Sequence, residues 1–355
     1  MTARLPLDLL VRPADESSRL LALLYLEEIE LAERRLADPL DTEALHDFRV
    51  GLRRLRSCTR AYRAELRGSV SKQLRRKLRK LTLATNAGRD AEVHLGWLRN
   101  QVGRVGPEHI QGVAWLIGRL EGRQHETLDS ASSDVGRRFM KLAAGLRPRL
   151  GSLRIEIHRG RGSERPSFRQ VTGELIRGHA ADLTERLRAV RTAENMTEAH
   201  RARIAAKRLR YLLEPLTRRA AGAKGLIAPL KGLQDVLGQL HDVHVMSEEI
   251  AASLADLSRG PAEPSSGAES GLRALEQAAN AEGAAVFASF QARWGEQRGR
   301  RFFARADELG RTLASAEGNS DEGLPGLSLV PRRRSRPALN AEEDRSRNAS
   351  ATRTS

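Results

Sequence analysis

Apolar residues recur along most of the chain at the three- and four-residue spacing that places them on one face of a helix. Alternating patterns of β-branched residues, which are typical of strands, are almost absent. The sequence therefore predicts an all-α protein. The predicted helices span residues 16–37, 42–66, 70–86, 90–102, 108–130, 134–149, 167–190, 197–220, 224–239, 242–257 and 268–315.

Polar segments that contain Gly and Pro separate several of these helices. One such segment begins at His158 and another begins at Ser258. Residues 317–355 are rich in Ser, Arg, Pro and Gly and poor in aromatic residues, a composition that predicts disorder. We therefore expect one helical domain over residues 1–316, followed by a disordered tail.

A basic segment occurs twice in the chain. The first copy begins at His46 and the second begins 154 residues later, at His200. Cationic residues return at the same intervals in both copies, which pairs Arg49 with Arg203, Arg53 with Lys207, Arg54 with Arg208 and Arg56 with Arg210. Random solvation of a surface helix does not predict this recurrence, so the chain is interpreted as an internal duplication. The two halves are residues 1–150 and 160–316.

The helix after each basic segment is also related between the halves. The Leu-rich segment from Leu74 aligns with the segment from Leu226, at an offset of 152 residues. The alignment pairs Lys72 with Lys224, Arg79 with Lys231, and Asp90 with Asp242. Basic side chains therefore recur on a second pair of helices. We expect the two aspartates to orient arginines of the basic segments or to begin the next helix.

Helix geometry gathers the cationic positions of each copy onto one stripe. At about 100° per residue, the stripe of the first copy covers about 80° of the helix surface. It consists of His46, Arg49, Arg53, Arg56 and Arg60. The second copy repeats the stripe with His200, Arg203, Lys207 and Arg210. Because neighbouring cations on a helix repel one another, we expect an anionic partner that offsets the repulsion.

The composition agrees with such a partner. The 355 residues carry a formal net charge of +16 and a sequence pI of about 11.0, which favours a polyanion such as nucleic acid, anionic lipid or polyphosphate. No apolar run reaches the roughly 18 residues of a membrane span, and the N-terminal residues make a poor signal peptide. We therefore expect a cytoplasmic protein whose single cysteine, Cys58, is a buried thiol.

The basic segments and the Leu-rich helices that follow them resemble those of the CHAD domain, the conserved histidine α-helical domain. The resemblance covers about residues 16–316. It implies two pseudo-symmetric four-helix bundles with a basic central cleft or pore between them that binds inorganic polyphosphate. The implied polyphosphate contacts are His46, Arg49, Arg53, Arg56, His200, Arg203, Lys207 and Arg210, with Lys72, Arg79, Lys224 and Lys231 as weaker ones.

The sequence departs from a symmetric pattern where Arg75 and Arg76 of the first half align with Ile227 and Ala228 of the second. We therefore expect the second half to hold the ligand less strongly. The sequence contains no P-loop, HExxH, nucleophile elbow or dinucleotide fingerprint, nor the E-x-E-x-K motif of triphosphate tunnel modules. It predicts a non-catalytic binder without a cofactor, and association with polyphosphate granules is a further hypothesis.

Other interpretations of the sequence remain open. The histidines are also compatible with capping the helix starts near Thr42 and Thr197. A metal site at His241 and His244 is not supported, because the first half does not repeat it. A basic helical protein of this kind could instead bind nucleic acid, although aromatic residues make up only 4% of the chain. An enzyme that acts on phosphate would need a metal site or paired carboxylates, and the sequence contains neither.

Overall fold

The computed structural model describes residues 5–38, 40–85, 87–128, 132–152, 165–259 and 266–315. Within these ranges the regular structure is helical, and the one extended pairing is an isolated antiparallel bridge between Pro13 and Ser167. The all-α prediction is therefore confirmed. The predicted disordered tail lies outside the described residues.

The described α-helices follow the predicted order closely. They are α1 (Ala14–Arg35), α2 (Ala44–Ala61), α3 (Lys72–Ala84), α4 (Ala87–Gln101), α5 (Ile110–Leu128), α6 (Ser132–Gly151), α7 (Phe168–Arg188), α8 (Met196–Leu213), α9 (Ala223–Arg259), α10 (Ser266–Trp294) and α11 (Glu296–Ser315). Local sequence fixes some of their starts. At α7, for example, the Ser167 hydroxyl accepts a hydrogen bond from the Gln170 N–H, and the Gln170 side chain accepts one from the Ser167 N–H.

Two predicted helix boundaries are wrong. The sequence predicted separate helices over 224–239 and 242–257, whereas α9 is continuous there, because Leu240 and His241 do not interrupt its backbone hydrogen bonds. Conversely, the single helix predicted over 268–315 is divided at Gly295, a weak helix former.

The helices that carry the basic segments are shorter than predicted. α2 ends at Ala61 instead of continuing to residue 66. α8 ends at Leu213, where a turn of 3-10 helix follows over Glu214–Leu216. Pro215 lies in this turn and has no N–H to donate to the preceding helical turn, which accounts for the early end of α8.

Corresponding helices of the two halves make corresponding contacts. α1 packs on α2 and α6, and α2 packs on α3; likewise α7 packs on α8 and α11, and α8 packs on α9. Contacts of α1 with α7 and of α2 with α8 join the halves. Buried residues of both sets, including Leu26, Phe48, Leu183 and Leu209, belong to one hydrophobic cluster. The division into two four-helix bundles stays a prediction.

The segments that precede α1 and α7 pair with each other. The Ala14 N–H donates to the Pro166 carbonyl at 3.0 Å, and the Phe168 N–H donates to the Arg12 carbonyl at 2.8 Å. The two donors are 154 residues apart in the chain, and so are the two acceptors. Reciprocal bonds between equivalent residues are the pattern of a local two-fold axis, and they extend the offset of the basic segments to the starts of α1 and α7.

A second hydrophobic cluster lies among α4, α5, α9 and α10, and includes Val113, Met246 and Leu272. α5 and α10 approach each other closely within it. A Cβ atom at Gly112 would lie 2.6 Å from the Cα of Gly271, so this crossing brings two backbones together where no larger residue fits.

Candidate anion-binding surface

α2 carries the first basic stripe, and an aspartate holds its start. Asp41 Oδ1 accepts hydrogen bonds from the N–H groups of Ala44 at 3.0 Å and Glu43 at 3.2 Å, while Arg35 pairs with the same carboxylate at 2.7 Å. A carboxylate therefore serves the free N–H groups of this helix end. The side chain of His46 is exposed beside it.

Arg49 joins the first stripe to α3. Its Nε–H donates a 2.6 Å hydrogen bond to the carbonyl oxygen of Thr85, the residue that follows α3. The last carbonyls of a helix have no partner within the helix, and a charged donor satisfies one of them here.

Arg53 and Arg56 are half-buried at the middle of the first stripe. Burial, followed by the nearby charges of Arg79 and Arg60, lowers the pKa of Arg56. A guanidinium remains charged at neutral pH, so Arg56 is held as a cation close to two others in a partly desolvated place. An anion bound there would relieve this repulsion.

The second stripe begins where α8 meets α9. The imidazole rings of His200 and His241 lie with their centres 5.3 Å apart. Partial burial, followed by the charges of Arg203 and Lys207, lowers the pKa of His200 from its ordinary value of 6.5. His200 is therefore mostly neutral at neutral pH.

The side chain of Arg203, from α8, lies against α9, much as the side chain of Arg49, from α2, lies against the end of α3. Its Nη2 is 3.4 Å from the position that a Cβ atom would occupy at Gly238. At the offset of 152 residues, Gly238 corresponds to the residue after Thr85. The first arginine of each copy thus contacts the corresponding part of the helix that follows, which is a structural repetition of the sequence repeat.

Arg210 differs in its surroundings from its counterpart Arg56. Glu214 Oε1 lies 3.3 Å from Nε of Arg210, and the Arg210 guanidinium lies 5.0 Å from the ring centre of Tyr211. These contacts offset part of its positive charge. In the described part of the chain, no carboxylate forms an ion pair with Arg56, and the charges that act on it are cationic.

The four weaker candidates, two on α3 and two on α9, have exposed side chains: Lys72, Arg79, Lys224 and Lys231. Arg79 approaches another candidate, since its charge acts on Arg56. Within the described ranges, no hydrogen bond or ion pair joins the three lysines to another candidate residue. The structure therefore brings together Arg56 with Arg79, and His200 with Arg203 and Lys207.

The predicted contacts omitted part of this surface. A pocket of about 330 Å³ between α2 and α3, which we name the arginine pocket, is lined by Arg56, Thr59, Arg60, Arg63, Arg75 and Arg79. Arg60 belongs to the predicted stripe, but Arg63 and Arg75 lie outside the predicted contacts. Their spacing in the sequence indicated that they lie close to predicted residues, because Arg75 precedes Arg79 by four residues and Arg63 follows Arg60 by three.

Other predicted chemistry can be placed as well. Cys58 is buried, as predicted, and burial raises the pKa of its thiol far above the ordinary range. Asp242 lies inside α9 and does not begin a helix, while the side chain of Asp90 lies outside the described residues. Among the residues whose side chains are described, no group of three or more His, Cys, Asp or Glu is arranged to hold a metal ion. None of the described helices is both long and apolar enough to cross a membrane.

Comparison with known proteins identifies the family. A family model described as the CHAD domain matches residues 21–251. The crystal structure of the CHAD domain from the plant Ricinus communis is similar with a TM-score of 0.58 at 21% identity, over 82% of this chain and 94% of that chain. PptA from Streptomyces chartreusis is similar with a TM-score of 0.60 at 15% identity, over 80% of this chain and 100% of that chain. A search of curated proteins found no match. Because the family model covers more than half of the sequence and the solved structures share its helical fold, the chain belongs to the CHAD domain family.

Proposed function

We propose that this protein binds inorganic polyphosphate without catalysing a reaction on it. The observation that carries the proposal is the repeated placement of Arg49 and Arg203, each on the helix that follows its basic segment. Two related basic stripes are thereby held on the packed helices α2 and α8. The proposed ligand contacts are His46, Arg49, Arg53, Arg56, His200, Arg203, Lys207 and Arg210, supplemented by Lys72, Arg79, Lys224 and Lys231.

The chemistry of the stripes suits a polyphosphate chain. Arg donates two parallel hydrogen bonds to phosphate oxygens, whereas Lys207 and the other lysines act as point charges. A helix stripe presents a cation about every turn, or about every 5.4 Å, and polyphosphate presents charge at every repeating unit. The ligand therefore needs no unique register, and contacts can be shared along its length. We place this ligand in a basic cleft between the two halves.

The proposal excludes catalysis and requires no cofactor. Phosphoryl transfer is usually assisted by metal ions that stabilise the attacking and leaving oxygens, and the proposed contacts include no carboxylate that would hold such an ion. Incubation of the full chain with polyphosphate, with and without Mg²⁺, should release no orthophosphate. Release that is abolished in a purified Arg53→Ala variant would identify an enzyme instead.

Competition binding tests the choice of ligand. Labelled long-chain polyphosphate bound to the full chain is challenged with unlabelled polyphosphate, duplex DNA or RNA at equal phosphate concentration and constant salt. Polyphosphate should compete at least about tenfold better than either nucleic acid, because the basic stripes carry no Phe, Tyr or Trp on which bases could stack and the sequence contains no groove-reading motif. Equal competition by DNA or RNA would favour a nucleic-acid-binding function.

The proposed location follows from the ligand. We place the protein in the cytoplasm, associated with polyphosphate granules. A fluorescent fusion should coincide with granules stained for polyphosphate, and a fusion that carries Arg53→Glu and Lys207→Glu should become diffuse.

A further inference from the structure

Equivalent positions of the two halves carry opposite charges at the contact between α2 and α8. At the offset of 154 residues, Arg54 corresponds to Arg208, and Arg60 corresponds to Glu214. α2 and α8 are in contact. Arg54 of the first half therefore meets Glu214 of the second, and Arg208 of the second half meets Arg60 of the first. One side of this contact therefore contains a carboxylate where the other contains a guanidinium.

The side that contains Glu214 is neutralised. Glu214 Oε2 lies 3.0 Å from Nε of Arg54, and its Oε1 lies 3.3 Å from Nε of Arg210. Glu28 of α1 adds a second carboxylate 3.4 Å from Arg54. Arg54 and Arg210 are thus paired with carboxylates of the protein, so this side offers a ligand less positive charge than the side that contains Arg60.

The side that contains Arg60 is cationic. The charges of Arg60 and Arg56 act on Arg208, which forms no ion pair with a carboxylate among the described residues. The carboxylate whose charge acts on Arg208 is that of Asp182, which already pairs with Arg186 at 2.7 Å. Three arginines therefore approach one another where the equivalent place on the other side contains an ion pair.

Arg60 also connects two open spaces on its side. It lines the arginine pocket, and it lines a cavity of about 210 Å³ whose wall includes Arg208 and His179. On the opposite side, the residue equivalent to His179 is Tyr25, which is buried and only 6% exposed. Space and positive charge thus coincide on the Arg60 side.

We propose that polyphosphate is anchored on one side of the α2–α8 contact, in the arginine pocket, with Arg208 completing the site from the second half. Glu214 excludes phosphate from the equivalent place on the other side. The identity of the ligand rests on the function proposed above, whereas the one-sidedness rests on the charges and spaces around Arg60 and Glu214. The remaining contacts of both stripes hold the ligand outside the anchor.

A matched pair of variants tests the anchor. Arg79→Gln and Lys231→Gln each remove one exposed charge, at equivalent positions of α3 and α9. Titration calorimetry of the full chain with long-chain polyphosphate and with tripolyphosphate measures both. Arg79→Gln should raise the dissociation constant about tenfold, the scale of a lost charge-assisted contact, whereas Lys231→Gln should raise it less than about threefold.

A second pair separates the anchor from general electrostatics. Arg60→Gln should raise the dissociation constant about tenfold, whereas Arg218→Gln, which removes an exposed charge just beyond the second basic segment, should raise it less than about threefold. Circular dichroism and the melting temperature establish that each variant is folded. Equal effects of Arg79→Gln and Lys231→Gln, or of Arg60→Gln and Arg218→Gln, would overturn the one-sided anchor while polyphosphate binding by the parent protein stands. Absence of polyphosphate binding by the parent protein would instead overturn the proposed function, and the ligand named here with it.

Discussion

The imidazole rings of His200 and His241 lie 5.3 Å apart, which joins the first turn of the second basic stripe to the middle of α9. His200 also lies close to Arg203 and Lys207, and these charges together with partial burial lower its pKa. The ring is therefore poised to gain a proton when negative charge arrives.

We expect polyphosphate binding to strengthen as the pH falls from about 8 to about 6. A bound polyanion favours the imidazolium form and raises the pKa of His200 toward or above its ordinary value, so binding takes up a proton. Calorimetry in two buffers of different ionisation enthalpy measures that uptake. His200→Gln should reduce it, whereas His244→Gln, which changes a residue paired with Glu248 on α9, should not. Uptake unchanged in His200→Gln would remove His200 from the site.

The salt dependence of the binding constant reports how many phosphate charges the protein neutralises. The affinity for long-chain polyphosphate should fall steeply with salt, because binding releases counterions from the polyanion. Lys207→Gln should reduce the slope of log K against log salt by about one. Lys141→Gln, which removes an exposed charge on α6, is the control and should leave the slope unchanged. A parent affinity that is flat between low and moderate salt would contradict electrostatic binding.

Charge reversals test whether both halves contact one ligand. Arg53→Glu and Lys207→Glu should each weaken polyphosphate binding by about tenfold or more, while the melting temperature stays near that of the parent protein. The double variant should depart from additivity, because contacts that share one partner are coupled.

Arg218→Glu is the control for these reversals, since its exposed side chain lies beyond the repeated segment. If Lys207→Glu weakened binding no more than Arg218→Glu, the second basic segment would be structural and the ligand would belong to the first half alone.

The packing of α7 on α11 gives a prediction about stability. A Cβ atom at Gly173 would lie 2.5 Å from the carbonyl oxygen of Gly310, so Gly173→Ala must push the helices apart. We expect a loss of about 1–3 kcal/mol in the free energy of unfolding, measured by urea denaturation. Gly178→Ala is matched to it on the same helix, where a Cβ would meet no atom within 4 Å, and should stabilise by about 0.5–1 kcal/mol. Equal effects of the two substitutions would contradict this account of the helix crossing.

Helical periodicity predicted the fold class because nearly every segment packs one apolar face on a core. The boundaries were harder to predict where tertiary contacts decide them. The division at Gly295 is accompanied by packing of Trp294 on Phe302, with ring centres 5.3 Å apart. No local sequence pattern predicts this packing. The continuity of α9 was not predicted either, and it distinguishes the second half from the first, where α3 and α4 are separate helices.

The basic stripes were visible in the sequence because their spacing is a property of one helix. The partners of their side chains were not, since these come from other helices. Glu214 is an example: its position four residues after Arg210 is evident in the sequence, but its ion pair with Arg54 spans 160 residues and depends on how α2 meets α8. Neutralisation of one side of that contact is therefore a property of the tertiary structure.

The reciprocal hydrogen bonds between the segments before α1 and α7 are those that an isologous dimer would make across its axis. In a dimer of identical subunits, every substitution appears on both sides of the axis. An arginine and a glutamate could not then stand at equivalent positions, as Arg60 and Glu214 do here. A single covalent chain lifts that restriction. The two sides can diverge one residue at a time, so one side of the axis can be cationic and the other neutral, which no homodimer of either half could achieve.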